Sequence, residues 1–343
     1  MIRARLMSSA AVAALMAGTC LSAKAEPIEI GVGGFMNQYL GYAESDVANR
    51  DGFDQQTDAE IEFTGETTLD NGLTFGVNVQ LEAQTDGDQI DQQFAYVSGS
   101  FGAVYLGGEA SAPALMSYDV PSAGIGLDSG DEADWIAGVN IDLLSTVGNF
   151  TKDEDASEKV SYFTPRIQGF QLGVSYVPEV DEDIDGPPDN NNGTRDNAFG
   201  VAMNYENTFN AVSIAASAAY MDFGEDDAAA GPNPTNLGFG LRLGYAGFTV
   251  GGSYNELEDS VAGNIESYGV GVVYETGPAA ISFGYVRGED DGAGTDADGF
   301  EVGGTYALGP GVDLIGSIYY VEQDGPGANV DGFAAIGGIA LTF

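Results

Sequence analysis

The stretch AEIEFTGETTLDNGLTFGVNVQLEA, residues 59–83, decides the fold. Its odd positions carry apolar or small side chains, and most of its even positions carry polar ones, on both sides of the Asp70-Asn71-Gly72 segment. A period of two residues is typical of a β-strand with one apolar face, and Asn-Gly is a hairpin turn signal. The stretch therefore predicts a hairpin with strands of about 11 residues, long enough to cross a bilayer at a tilt.

The same alternation continues to the C-terminus. The predicted strands number sixteen: 28–42, 59–69, 73–83, 92–98, 103–108, 159–164, 170–177, 198–205, 211–221, 236–245, 248–255, 265–274, 280–286, 299–308, 312–321 and 330–343. An even number of this size is typical of an antiparallel transmembrane barrel with a water-filled lumen. The expected fold class is therefore all-β, a 16-stranded barrel.

The connections between these strands alternate in length. Short turns are predicted at 70–72, 98–102, 165–169, 206–210, 246–247, 275–279 and 309–311, and the connections between them are long and acidic. Aromatic residues such as Phe170, Tyr176 and Tyr274 stand near strand ends, as in interfacial girdles. A soluble sandwich or a lipocalin-like barrel could also alternate, but neither requires two unequal rims.

The N-terminus predicts export. Arg3 and Arg5 precede an apolar run, and Ala23-Lys24-Ala25 forms an A-x-A cleavage site, so residues 1–25 are expected to be a signal peptide and residues 26–343 the mature barrel. A lipoprotein anchor at Cys20 is the alternative, although Thr19 fits it poorly.

The predicted mature chain is strongly acidic and lacks histidine and cysteine. Seven basic residues face all 53 acidic ones, which disfavours nucleic acid and anionic lipid as direct electrostatic partners. Without imidazole or thiol, a Ser-His-Asp or cysteine-based active site is impossible, so no enzyme is expected. Cations are the natural electrostatic partners.

Several runs resemble general Gram-negative porins, particularly those of alphaproteobacteria. They are KVSYFTPRIQGFQLGVSY at 159–176, GGFMNQ at 33–38, FGAVYLG at 101–107 and the terminal Phe343. The resemblance implies a homotrimer in the outer membrane, inserted by the barrel-assembly machinery, with Ile339, Leu341 and Phe343 as the assembly signal. It also implies that the third external loop folds into the lumen and narrows it.

Residues 109–158 form the longest gap between predicted strands and are the expected constriction loop. Long loops in compact domains are usually functional. The candidate constriction residues are Glu109, Asp119, Asp128, Asp131, Glu132 and Asp134 on the loop, with Glu60, Glu62, Glu66 and Arg242 facing inward from the wall. The alternative is that some of these carboxylates only cap turns. The arginine cluster that familiar porins set opposite this loop is absent, because the basic residues are scattered singly.

These features predict passive diffusion of small hydrophilic solutes and ions, with cation selectivity from an acidic lumen. A substrate-specific channel, for example for sugars, is the alternative, but it would need a ladder of aromatic residues along the lumen. Only scattered inward candidates such as Tyr105 and Tyr319 are found.

Acidic loops also suggest weak metal sites. Bound Ca²⁺ or Mg²⁺ would relieve repulsion between neighbouring carboxylates and could bridge them to lipopolysaccharide. The candidates are Asp181, Asp183, Asp185, Asp226, Asp290 and Asp291, although the full EF-hand spacing is absent. No cofactor is expected to be required. The simpler interpretation is that the carboxylates provide solubility.

Overall fold

The structure is a computed structural model. It describes residues 27–83, 89–127, 131–151, 156–180, 195–224, 232–259, 263–326 and 329–343; the side chains of residues 131, 148 and 151 are not described. The predicted signal peptide lies outside these residues and stays a prediction.

Sixteen β-strands account for most of the described chain. Their bounds are β1 Glu29–Ser45, β2 Gly52–Thr68, β3 Thr74–Glu82, β4 Ile90–Gly99, β5 Gly102–Gly108, β6 Glu158–Phe163, β7 Phe170–Glu179, β8 Asp196–Phe209, β9 Val212–Asp222, β10 Thr235–Tyr245, β11 Phe248–Glu258, β12 Ile265–Thr276, β13 Ala279–Asp290, β14 Thr295–Gly309, β15 Val312–Asp324 and β16 Val330–Thr342. Each strand pairs with the next in sequence, and β1 pairs antiparallel with β16, so the sheet is a closed barrel. The predicted 16-stranded antiparallel barrel is confirmed.

The opening stretch forms the predicted hairpin between β2 and β3. Glu60 pairs with Glu82 at one end of the ladder, and Thr68 pairs with Thr74 beside the turn. The Asn71 side chain accepts a hydrogen bond from the amide of Leu73 at 3.1 Å, and Gly72 has a φ of 82°. Local turn chemistry thus sets the register.

The two faces of the barrel differ in polarity. Large apolar side chains such as Phe239, Leu241 and Val270 are exposed on the outer face, whereas Asn236 and Asn255 are buried on the inner face. This inversion of the usual soluble pattern is the one that lipid around a wet lumen requires. No helix in the described ranges is long and apolar enough to span a bilayer.

All seven predicted short connections occur, but the opposite rim differs from the prediction. β2 begins at Gly52, and the predicted acidic loop between β13 and β14 shrinks to residues 291–294. Above the apolar band, Arg287 pairs with Asp298 at 2.5 Å and with Asp296 at 3.1 Å across this hairpin. The outer face is polar there, and the inner face carries the small, buried residues Gly288 and Ala297, so the apolar-outward alternation is lost although the ladder continues.

The connection between β5 and β6 is here called the long segment, residues 109–157. It contains a short helix, α1 (Ala112–Met116), and two 3₁₀ turns, Asp131–Asp134 and Gly148–Thr151. Its apolar side chains Ile136, Leu143, Leu144 and Phe150 are buried together with Val286 and Val321 of the barrel wall. The hydrophobic core of the molecule therefore lies between the long segment and the inner wall.

Candidate functional site

Glu301 on β14 holds the middle of the long segment. It is 1% exposed. Its carboxylate accepts hydrogen bonds from the Ser122 hydroxyl at 2.7 Å, the Gly126 amide at 2.9 Å and the Ser317 hydroxyl of β15 at 2.5 Å. A buried carboxylate is tolerated when donors surround it, and the long segment supplies two of the three.

Polar side chains of other strands, most of them serines, fix the rest of the segment. These contacts run from the Ala112 amide to Ser175 Oγ (2.8 Å), the Tyr118 amide to Ser217 Oγ (2.9 Å), the Ala123 amide to Ser282 Oγ (2.9 Å), the Ile125 amide to Ser317 Oγ (2.7 Å), the Asn140 amide to Gln323 Oε1 (2.8 Å), and Tyr319 Oη to the Gly126 carbonyl (2.6 Å). The wall residues lie on β7, β9, β13 and β15, so the segment is attached at several points around the ring.

Glycines make room for these contacts. A Cβ added at Gly240, Gly288 or Gly303 would clash with the backbone of Tyr118, Leu143 or Gly124, respectively. The inner wall is therefore shaped to receive the long segment, because only glycine allows the two backbones to approach this closely.

Arg242 on β10 lies in a cluster of paired charges. Its guanidinium forms an ion pair with Asp119 of the long segment, donates from Nε to the Asp119 carbonyl at 3.1 Å, and lies 5.7 Å from the centre of the Tyr118 ring. The Tyr118 hydroxyl donates to Glu206, and Arg166 is 3.6 Å from the same carboxylate. Burial and this hydrogen bond raise the pKa of the Tyr118 hydroxyl, so it remains a donor.

The opposite wall is acidic. Glu60, Glu62 and Glu66 lie on the inner face of β2, and β2 stands eight strands from β10 in either direction around the ring. The sequence holds no lysine or arginine between Arg50 and Lys152. Two large cavities follow these walls: one of about 620 Å³ lined by Glu29, Glu62 and Glu66, and one of about 460 Å³ lined by Glu206 and Arg242.

The remaining predicted constriction residues differ in their exposure to water. Glu109 is buried beside Lys159, whose ammonium donates to the Glu109 carbonyl at 2.5 Å, and Glu132 is fully buried. Neither carboxylate faces open water, whereas Asp134 is exposed. Asp128 lies outside the described residues, and so does the side chain of Asp131.

The acidic loops within the described ranges do not form a metal site from acidic side chains alone. No group of three or more Asp, Glu, His or Cys side chains there could hold a metal ion by itself. Asp290 Oδ1 accepts a hydrogen bond from the Ala293 amide at 2.8 Å, as a turn cap does. Asp181, Asp183, Asp185 and Asp226 lie outside the described residues, and a metal at Asp290 and Asp291 stays a prediction.

Two features of the lumen were missed by sequence reasoning. Glu206 belongs to β8 and not to a turn, and its partner Tyr118 carries no sequence signal. The aromatic residues of β4 to β6 are clustered and not scattered, since the Tyr105 ring centre lies 5.3–5.6 Å from those of Phe94, Tyr96 and Phe163. All four rings stand at inward-facing positions of adjacent strands, so the alternation could have predicted that they meet.

A family model described as Gram-negative porin matches residues 10–326. No curated protein sequence gives a significant match. Among solved structures, the anion-selective porin from Comamonas acidovorans is 18% identical, with a TM-score of 0.66 over 92% of this chain and 100% of that chain. The trimer form of OmpT from Vibrio cholerae is 15% identical, with a TM-score of 0.61 over 93% and 100%. A mutant of Rh. blastica porin is 19% identical, with a TM-score of 0.57 over 92% and 100%. At these identities the likeness is one of fold.

Proposed function

This chain belongs to the Gram-negative porin family, and from that premise we propose that it is a general diffusion pore that prefers cations. Membership makes the protein an outer-membrane β-barrel channel and not an enzyme. The proposal concerns what the channel passes and what narrows it. The fold alone does not decide this, since the anion-selective porin from Comamonas acidovorans has a similar fold.

The charge balance of the two walls carries the proposal. Arg242, the basic side chain on β10, is neutralised by Asp119 of the long segment. On the opposite wall Glu62 and Glu66 receive hydrogen bonds from Gln80 and Tyr96, which are uncharged donors. The acidic wall therefore keeps its net charge while the basic one is balanced, and a pore with such a lining stabilises cations and repels anions.

We assign the constriction to the long segment. Its hydrogen bonds to inner-face residues of β7, β9, β13, β14 and β15 support a path across the lumen. The exposed Asp134 and the part-exposed Asp119 are then the loop carboxylates nearest to water. Glu109 and Glu132 act as buried structural residues of this segment.

Ion selectivity is tested by reversal potentials of the purified protein in planar bilayers under a KCl gradient. We expect a potential of the sign that K⁺ permeation gives, and a potential of the opposite sign would overturn the proposal. Glu62→Gln with Glu66→Gln should lower the preference for K⁺. Glu266→Gln, an exposed carboxylate on the outer face of β12, is the matched control.

A sugar-specific channel is less well supported. The inward aromatic rings of β4 to β6 pack on one another, with Phe94 and Tyr105 stacked at 5.3 Å, so their faces are covered and do not form a ladder along the pore. Swelling of protein-containing liposomes in neutral sugars of graded size separates the two functions. A diffusion pore admits them by size alone, whereas a specific channel selects by stereochemistry.

We further propose that the barrel is a homotrimer and that the outer face of β1 and β2 lies in its interface. Gln38 sits between the exposed Met36 and Leu40, and it accepts hydrogen bonds from Gln55 at 2.8 Å and Thr57 at 3.1 Å. Polar side chains that face the apolar layer of a membrane are unfavourable. Contact with another subunit would remove these polar side chains from lipid.

A bulky side chain on the outer face of β1 tests whether this face lies in the trimer interface. Gln38→Trp should shift the protein from trimer to monomer in native gels and light scattering, whereas Leu241→Trp on the outer face of β10 should not. A Gln38→Trp protein that remains fully trimeric would exclude this face. Export by a signal peptide is tested separately by mass spectrometry of the mature N-terminus, expected at Glu26.

A further inference from the structure

The inner wall between β2 and β3 has a surplus of oxygen acceptors. Glu60 is 4% exposed and its Oε2 has no hydrogen-bond partner, and Gln80 is 1% exposed and its Oε1 has none either. Buried acceptors are normally satisfied, and one that is left alone costs about 1–3 kcal/mol. Two such oxygens on neighbouring strands indicate that something else fills the space between them.

The strand register places Glu60 and Gln80 close together on the inner face. Glu60 pairs directly with Glu82, and Glu62 pairs directly with Gln80, so Glu60 and Gln80 are diagonal neighbours on one face. Diagonal positions on paired strands are about 7–8 Å apart at Cα, within reach of long side chains. Gln80 uses its Nε2 to donate to Glu62 at 3.5 Å, which leaves its oxygen for another partner.

Negative charge accumulates at the same place. Asp58, Glu62, Glu82 and Asp91 all repel the Glu60 carboxylate electrostatically. The β3–β4 register shifts beside Gln80, where Asp91 is the extra residue on β4, and such a bulge can re-aim a side chain. None of the ion pairs found in the described part of the chain involves Glu60, Glu62 or Glu82.

We propose that this wall binds one Ca²⁺ ion between Glu60 and Gln80. Ca²⁺ accepts six to eight oxygens in flexible geometry, including carboxylate, amide and water oxygens. Glu60 and Gln80 supply the two unpartnered oxygens, Glu62 and Glu82 supply further charge, and water completes the shell. The amide oxygen is required because, within the described ranges, no three carboxylates could hold a metal alone.

The site would also tune the pore, a consequence that rests on the proposed cation preference. A bound Ca²⁺ adds positive charge to the acidic wall opposite Arg242. The wall then attracts K⁺ less strongly, so calcium should lower the K⁺ over Cl⁻ preference of the channel.

Calorimetric titration of the EDTA-treated full-length barrel with CaCl₂ in detergent tests the site without reference to conduction. We expect Glu60→Gln to bind one Ca²⁺ fewer than the unsubstituted protein. Glu66→Gln is the matched control, because Glu66 lies on the same strand and face but accepts a hydrogen bond from Tyr96 at 2.6 Å. Equal stoichiometry in Glu60→Gln and the control would overturn the proposal.

Two further measurements keep the site testable if Glu60→Gln folds poorly. Gln80→Met keeps the length of the side chain but removes the amide oxygen, together with the Nε2 donor to Glu62, and should also lose the ion. Crystals soaked in Tb³⁺ should show an anomalous peak between Glu60 and Gln80, and a water molecule without anomalous signal there would overturn the proposal. A channel that prefers K⁺ but binds no Ca²⁺ between Glu60 and Gln80 would overturn the proposed calcium site and leave the proposed function intact.

Discussion

The backbone amide of Gly126 donates a 2.9 Å hydrogen bond to Oε1 of Glu301, which joins the long segment to the barrel wall. Ser122 and Ser317 bind the same carboxylate. The wall of the barrel and the long segment are thus one hydrogen-bonded unit.

Removing the Glu301 carboxylate should release the middle of the long segment. Glu301→Ala leaves three donors without their acceptor, and we expect the free energy of unfolding to fall by about 1.5–3 kcal/mol. Single-channel conductance should rise and become noisier. Urea unfolding in lipid and bilayer recordings measure the two effects, and Glu301→Gln, which keeps one acceptor oxygen, should be milder. An unchanged, quiet conductance in Glu301→Ala would show that Glu301 does not position the pore.

A larger side chain on the barrel wall should push the long segment away from the wall. Gly288→Ala places a Cβ against the Leu143 carbonyl, and such overpacking costs about 1–3 kcal/mol. Gly337→Ala is the matched control, because a Cβ there meets no atom within 4 Å. Both proteins can be compared by urea unfolding. Equal stabilities for the two variants would contradict the close fit.

The Asp119–Arg242 pair should set how much positive charge reaches the lumen. Asp119→Asn leaves the Arg242 charge uncompensated and is expected to lower the preference for K⁺, whereas Arg242→Gln leaves Asp119 uncompensated and should raise it. Reversal potentials of both variants measure this directly. Shifts in the same direction would show that the pair acts through structure and not through charge.

Phe343 should matter more for assembly than for stability. Its side chain is 64% exposed on the outer face, so Phe343→Ala removes little buried surface. We expect less folded barrel in outer-membrane fractions but a nearly normal urea midpoint after refolding in vitro. Leu308→Ala, at a comparably exposed apolar position, controls for the loss of lipid contact. Normal amounts of Phe343→Ala in the membrane would remove it as an assembly signal.

Period-two patterning predicted the barrel because every spanning strand has lipid on one side. Strand number, the seven short connections and the inward orientation of Glu60 and Arg242 all follow from that alternation. It failed above the apolar band, where the outer face around Arg287 is polar and the inner face carries small or apolar residues such as Ala297. There the polar outer face is linked by ion pairs between Arg287 and acidic residues of β14, and an apolar pattern cannot reveal such pairs.

The attachment of the long segment could not be predicted in the same way. The alternation predicts that Glu301 faces the lumen. It cannot predict the hydrogen bond with Gly126, because the long segment has no repeating pattern that sets its register on the wall. The burial of Glu132 and the pairing of Tyr118 with Glu206 also depend on that register. Charge counting identified the acidic residues of the segment without separating those that meet water from those that do not.

The ladder between β1 and β16 ends where Gly34 and Phe343 exchange backbone hydrogen bonds of 3.0 and 3.1 Å. β16 therefore closes the barrel by pairing with β1, and Phe343 lies at one end of this seam. Until this pairing forms, two strand edges have unpaired amides and carbonyls, which can neither enter hydrocarbon nor meet other chains safely. A nascent copy must consequently be kept apart from lipid and from its neighbours until β16 has paired with β1.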